Sequence, residues 1–242
     1  KTAYEIKECD WSSDVCSSDL HGWGMTETSP LGAVGFIKRE LADLPADAQY
    51  VVRAKQGVPP PFVEVRTMAE NGEAPWDGVS MGELQIRGPW VAASYHEQPE
   101  EQDKWTADGW FRTGDIAIMD AHGYIKIADR LKDLVKSGGE WISSVDLENA
   151  LVAHPAVAEA AVIGVPHPKW DERPLAVVVL KPGQSATADA MRAFLAPQFA
   201  KFWLPDDVKF VDAIPKTSTG KMLKATLREQ YQNLFTTQAS AP

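Results

Sequence analysis

The stretch Asp129-Arg130-Leu131-Lys132-Asp133-Leu134-Val135-Lys136-Ser137-Gly138-Gly139-Glu140-Trp141-Ile142-Ser143 separates two sequence patterns. Before it, apolar and polar residues alternate over 62–66, 83–87 and 124–128, the period of a half-buried strand. Turn chemistry punctuates these runs. Gly88-Pro89 stops the second, and Asp120-Ala121-His122-Gly123 precedes the third. Residues 71–82 are rich in Gly, Pro and Asp and read as loop.

After the stretch, strands and helices interleave. Residues 144–152 carry apolar side chains at helical spacing, with Ser144 as the expected N-cap and acids in the first turn. That helix should end before Pro155, because the residue preceding a proline disfavours the helical region. Strands are predicted at 158–165 and 175–180, a helix at 188–199 and a short strand at 208–211. A last helix is predicted at 222–231, with Leu223, Leu227 and Tyr231 four apart. The expected fold class is α+β. A β-rich portion over 21–130 precedes a small α+β domain over 131–242, about 110 residues and an ordinary domain size.

Composition narrows the function. The chain carries a formal net charge of -10 and no basic cluster, which argues against nucleic acid as a partner. No apolar run approaches the roughly 20 residues that span a bilayer, so no transmembrane segment is expected. No amphipathic basic helix suggests a membrane surface. The two cysteines, Cys9 and Cys16, both lie within residues 1–20. The cysteine-free remainder suits a reducing cytoplasm and leaves no thiolate metal site. The five histidines show no metal-ligand spacing.

Four segments carry chemistry that a packed core does not need. In Gly22-Trp23-Gly24-Met25-Thr26-Glu27-Thr28-Ser29-Pro30, the glycines let backbone approach a ligand. Thr26 offers a hydroxyl there, and Glu27 a hard oxygen suited to magnesium. In Gly109-Trp110-Phe111-Arg112-Thr113-Gly114-Asp115, the aspartate could accept two hydrogen bonds from a ribose diol. In the opening stretch, Arg130 could clamp a phosphate or sugar, and Lys132 could be a hinge at an element end. In Pro215-Lys216-Thr217-Ser218-Thr219-Gly220-Lys221, the glycine spacing is wrong for a Walker motif. Lys221 after that turn could nonetheless neutralise charge at a phosphorus centre. Each segment has a plainer reading: a capped Gly-rich turn, an Asx-turn, a solvated linker, and a helix cap with a solvated lysine.

Their order is more specific than any one of them. GWGMTE, GELQIRGP, GWFRTGD, DRLKDLVKSGGEWIS and PKTSTGK resemble the adenylate-forming (AMP-binding) superfamily over essentially all of residues 21–242. GGEWISSVDLEN and VPHPKWDERPLAVVV look most like its medium- and long-chain fatty-acid–CoA ligases. The resemblance implies the C-terminal part of a large AMP-binding domain over 21–130 and a mobile lid over 131–242. It implies a two-step acid–thiol ligation that consumes ATP with Mg2+, passes through an acyl-adenylate and delivers the acyl group to coenzyme A. Thr26 would touch the α-phosphate, with Gly24 beside it. Glu27 would help hold magnesium, Asp115 would take the ribose hydroxyls, and Arg130 would contact ribose or phosphate. Lys221 would bridge carboxylate and phosphate during adenylation. The lid would then turn about Lys132 and bring Lys136, Gly138, Gly139 and Trp141 to a pantetheine tunnel. Trp23 and Met25 would lie near the adenine or the acyl channel.

Other members suggest alternatives. The parent could be another acyl- or aryl-CoA ligase, or a carrier-loading adenylation enzyme. It could instead be a non-catalytic binding or regulatory module, and a homodimeric parent is compatible with the family. Complete members carry several hundred residues before the glycine-tryptophan motif, including a phosphate loop and most of the acyl pocket. The expectation is therefore that this polypeptide alone is inactive and aggregation-prone, while 131–242 folds alone. Residues 1–20 have neither helical nor strand period, and they back-translate to a common sequencing index primer interrupted by a gap of barcode size. They are expected to be an adapter-derived artefact.

Overall fold

The computed structural model describes residues 21–218 and 220–235, so the adapter reading of 1–20 lies outside the described residues. The chain forms two compact units, divided between Ala128 and Asp129.

The first unit is mostly antiparallel sheet. β1 (His21–Trp23) pairs with β2 (Ala33–Gly35), and α1 (Ala46–Arg53) follows. A five-stranded sheet then takes the order β4-β3-β5-β6-β7, from β3 (Glu64–Ala69), β4 (Gly72–Glu73), β5 (Met81–Arg87), β6 (Phe111–Met119) and β7 (Ile125–Arg130). The alternation read from sequence places Val63, Val65, Leu84, Ile86 and Ile125 in a core that Phe111, Ala117 and Met119 of β6, a strand the sequence reading did not include, complete. The sequence reading did not include α1. None of its residues is buried, Tyr50 and Val51 are exposed, and Val52 packs against Leu41, Val58 and Tyr124, so it shows no broad apolar stripe.

β6 carries an irregularity that matters below. Gln85 of β5 faces Arg112, whereas Glu83 faces Ile116, so Thr113, Gly114 and Asp115 together oppose Leu84. Gly114 takes φ +69°, a conformation that side chains disfavour, and the strand bulges there.

The second unit is built on a long antiparallel hairpin, β10 (Val157–His167) with β11 (Asp171–Leu180). β12 (Asp207–Phe210) adds in parallel to β11. The short hairpin β8 (Val135–Ser137) and β9 (Glu140–Ile142) joins β11 through Ser137 and Asp171. Ala160 and Val162 pack with α2 (Ser144–Val152) and α3 (Ala188–Leu195). Ala161 and Ile163 pack instead with Leu227 of α4 (Lys224–Tyr231) and with Ile214 and Phe235. Alternate residues of one strand thus serve two cores, and both faces of the hairpin are covered.

Several boundaries move. The cap of α2 is Ser143, not Ser144: Ser143 has extended backbone and its hydroxyl accepts from the Asp146 N–H at 3.0 Å. α3 ends at Leu195, short of Phe199. α4 starts at Lys224 rather than Met222, because Met222 bridges to Lys216 and the Leu223 N–H bonds to the Pro215 carbonyl. No helix of the described residues is long and apolar enough to cross a membrane.

Candidate functional site

In the first unit, the Gly22–Glu27 and Gly109–Asp115 segments meet at one carboxylate. Asp115 is buried in the β6 bulge, and its Oδ2 accepts a 2.9 Å bond from the Trp23 indole N–H. The bulge itself is fastened by Thr113. Its hydroxyl donates to the Leu84 carbonyl at 2.7 Å and accepts from the Asp115 N–H at 3.1 Å. Just before the bulge, the guanidiniums of Arg66 and Arg87 each lie 4.4 Å from the Trp110 ring centre. Arg66 also binds Asp108, whose carboxyl is pulled down to about 2, first by the Thr106 side chain and then by Arg66.

The loop after β1 is organised by Thr28 rather than by Thr26. Buried Thr28 accepts from the Met25 N–H at 2.9 Å, and its hydroxyl lies within bonding distance of the Met25 and Pro30 carbonyls. A Cβ on Gly24 would sit 1.7 Å from the Pro30 oxygen, so the loop's own path requires that glycine. Thr26 is left exposed, while Glu27 is half-buried. The Tyr95 hydroxyl donates to Glu27 Oε1, and the Glu27 carbonyl accepts from Ala92 N–H at 2.8 Å. Burial, and after it the Glu27 contact, raises the Tyr95 phenol above its ordinary range, so the phenol stays a donor. Among the described residues, no group of three or more His, Cys, Asp or Glu could hold a metal ion. Magnesium commonly takes one or two carboxylates together with phosphates and water. Glu27 therefore suits magnesium only alongside a phosphate-bearing ligand.

In the second unit, Lys136, Gly138, Gly139 and Trp141 lie on or beside the β8–β9 turn. Gly138 and Gly139 have φ +60° and +87°, the mirror-type turn that a two-residue hairpin favours. Trp170 supports it: its carbonyl accepts from Gly138 N–H at 2.8 Å, and its ring would meet a Gly138 Cβ at 3.1 Å. The Lys136 N–H bonds to Glu172. Arg130 and Lys132 are exposed, in a turn where the N–H groups of Asp133 and Leu134 both donate to the Arg130 carbonyl at 2.9 Å. Lys221 is exposed on a closed loop: its carbonyl accepts from Thr217 N–H at 2.7 Å, and its N–H donates to the Thr217 hydroxyl at 3.1 Å. Gly220, at φ +82°, makes the turn before it.

The sequence reading omitted three partners. Tyr95 sits beside Glu27 from 68 positions away, and Trp23 was placed by resemblance near a ligand rather than on Asp115. The third is Lys224, whose ammonium bonds Ser144 and Glu148. No local pattern marks the first two. A lysine in the first turn of a helix, where acids are favoured, is a visible signal for the third.

Comparison with known proteins bears on the family and the fold. The model of the AMP-binding enzyme family matches residues 9–96, beginning inside the segment read as adapter. The model of the AMP-binding enzyme C-terminal domain matches residues 146–221. A long-chain-fatty-acid–CoA ligase of Thermus thermophilus is 50% identical over 216 residues, covering 88% of this chain and 40% of that protein. A 3-methylmercaptopropionyl-CoA ligase of Ruegeria pomeroyi is 49% identical over 218 residues, covering 90% and 40%. The crystal structure of ATP-bound MatB from Rhodopseudomonas palustris superposes with TM-score 0.73 at 34% identity, covering 89% of this chain and 41% of that one. The chain thus spans about two fifths of the curated relatives it matches.

Proposed function

Because the chain belongs to the AMP-binding enzyme family, we propose that its parent protein is an acid–thiol ligase that joins a fatty acid to coenzyme A at the expense of ATP. One observation supports this most: the Trp23–Asp115 bond joins two motif segments 92 positions apart around a buried carboxylate. A carboxylate held so is suited to accept two hydroxyls of a ribose, since it is acceptor-only when ionised.

In this reading Asp115 binds the ribose, Thr26 donates to the α-phosphate, and Arg130 contacts ribose or phosphate. The acid's carboxylate attacks the α-phosphorus and pyrophosphate leaves. Lys221 offsets the negative charge that gathers there. Magnesium, held by Glu27 with the phosphates, would supply further charge neutralisation. Coenzyme A thiol then attacks the acyl-adenylate, forming the thioester and releasing AMP. Lys132 is the pivot between the two steps, and the Lys136–Trp141 turn lines the thiol's path. The proposed site of the reaction is the cytoplasm.

A second reading takes a shorter, heteroatom-bearing acid as substrate. It is favoured by the near-equal identity to the 3-methylmercaptopropionyl-CoA ligase.

The test is to recover the upstream DNA, express the whole protein and measure AMP release with CoA and a panel of acids. Thioester with medium or long fatty acids is expected. Absence of acid-dependent AMP release with every acid would overturn the ligase reading. The 242-residue chain by itself is expected to show no ATP–pyrophosphate exchange.

A further inference from the structure

The loop that carries Lys221 lies between buried Ile214 and α4. Within itself it is closed by the Thr217–Lys221 pairing, by Gly220 N–H to the Thr217 carbonyl and by Leu223 N–H to the Pro215 carbonyl. Outside itself, Lys216 bonds Glu159 at 2.7 Å, but both side chains are over a third exposed. Exposed ion pairs of that kind hold little. α4 begins three residues after Lys221.

The start of α4 is electrostatically unusual. Its cap position, Leu223, has no side-chain cap bond, and its first turn holds no acid. Lys224 occupies that turn instead, where the helix dipole disfavours a cation. Its ammonium turns inward, its side chain only 11% exposed, and bonds Glu148 Oε1 at 2.7 Å and Ser144 Oγ at 2.6 Å. The Ser144 hydroxyl accepts from the ammonium and so donates its own proton to Asp129 Oδ2, also at 2.6 Å. The Ser144 N–H donates to the same oxygen. Glu148 Oε1 also accepts from Val162 N–H, which ties the group to β10. The other Asp129 oxygen accepts from the Arg130 N–H at 2.7 Å. These bonds tie the first turn of α4 to α2, to β10 and to the Asp129–Arg130 segment.

We infer that Lys224 is the positioning residue of Lys221: through Ser144 and Glu148 it staples the first turn of α4 to the segment carrying Arg130, and so fixes the direction of the lysine loop. This rests on the proposed role of Lys221.

The test is amide hydrogen exchange on the 242-residue chain, read at Thr217, Gly220 and Leu223, with Ala161 and Val177 of β10–β11 as the core reference. Lys224→Met is expected to speed exchange in the loop by about tenfold or more while leaving the core reference within about twofold. Lys224→Arg, which keeps the charge and a donor, should bring the loop back to within about threefold of the parent chain. Glu159→Gln, which breaks only the exposed pair, should change loop exchange by less than about twofold. If Lys224→Met does not fold, Ser144→Ala is read by the same criteria, since it removes the bridging hydroxyl and keeps both charges. Unchanged loop exchange, equal acceleration of loop and core, or no rescue by arginine would each overturn the inference. No nucleotide enters this measurement, so failure of the ligase reading and failure of the staple are seen separately.

Discussion

Trp23 donates its indole N–H to Asp115 at 2.9 Å, so the end of β1 and the bulge of β6 share one hydrogen bond. Trp23→Phe keeps most of the ring and removes the donor. The buried carboxylate then loses a bond, and stability should fall by about 1–3 kcal/mol. Asp115→Asn should lower it as well. The pair should be non-additive by at least about 0.5 kcal/mol in a double-mutant cycle measured by denaturant unfolding. Additive effects would mean that the bond contributes nothing in solution.

Tyr95 should ionise above the ordinary phenol value of about 10. Burial is the larger cause and the Glu27 carboxylate the next, so Glu27→Gln should lower the midpoint only part of the way. A raised folded value means that this group's stabilisation is intact below the unfolded phenol value. It is lost as pH rises through the folded one. Ultraviolet titration checks this, with Tyr95→Phe removing the late step.

Asp108 should titrate at about 2, drawn down by the Thr106 side chain and then by Arg66. Its folded value lies below the unfolded one. The stabilisation is therefore present above the unfolded carboxyl value of about 3.9 and lost as pH falls toward the folded one. Carboxyl carbon NMR reads the midpoint directly. Arg66→Ala should raise it without restoring it fully, because the Thr106 contact remains; an unmoved midpoint would remove Arg66 from the account.

The two adjacent serines of α2 should separate cleanly. Ser143→Ala removes a cap and should lower stability by about 1 kcal/mol. Ser144→Ala deprives a buried carboxylate and a buried ammonium of a partner each, and about 2 kcal/mol or more is expected. Thermal unfolding of both variants checks the order. The reverse order would restore Ser144 as the cap.

Those serines also show how far the sequence was legible. The spacing of Leu147, Ala150 and Leu151 reveals a helix over Ser144–Val152, but the cap depends on backbone angles that spacing does not encode. The Gly138-Gly139 turn was not read from the sequence, although few other residues take two positive φ values in succession. Three strands of the first unit, β3, β5 and β7, were visible as alternating runs; β1, β2 and β6 were not read as strands, and β4 lies within the residues read as loop. α1 was not visible, because none of its side chains is fully buried. Within the candidate site, the residues with functional groups stood out locally. Their partners did not: Tyr95 and Trp23 meet Glu27 and Asp115 only through folding, and no periodicity records a contact across 68 or 92 positions.

The β6 irregularity sets a rule for how this segment can change length. From Arg112 to Ile116 the strand advances four residues while β5 advances two, so the surplus is an even number. Side chains beyond the irregularity keep the facing they would have had in an uninterrupted strand. Losing or gaining one residue there would turn Ile116, Ala117, Ile118 and Met119 to the opposite faces, and all four are buried. Insertions and deletions at this spot are therefore expected to survive only in pairs.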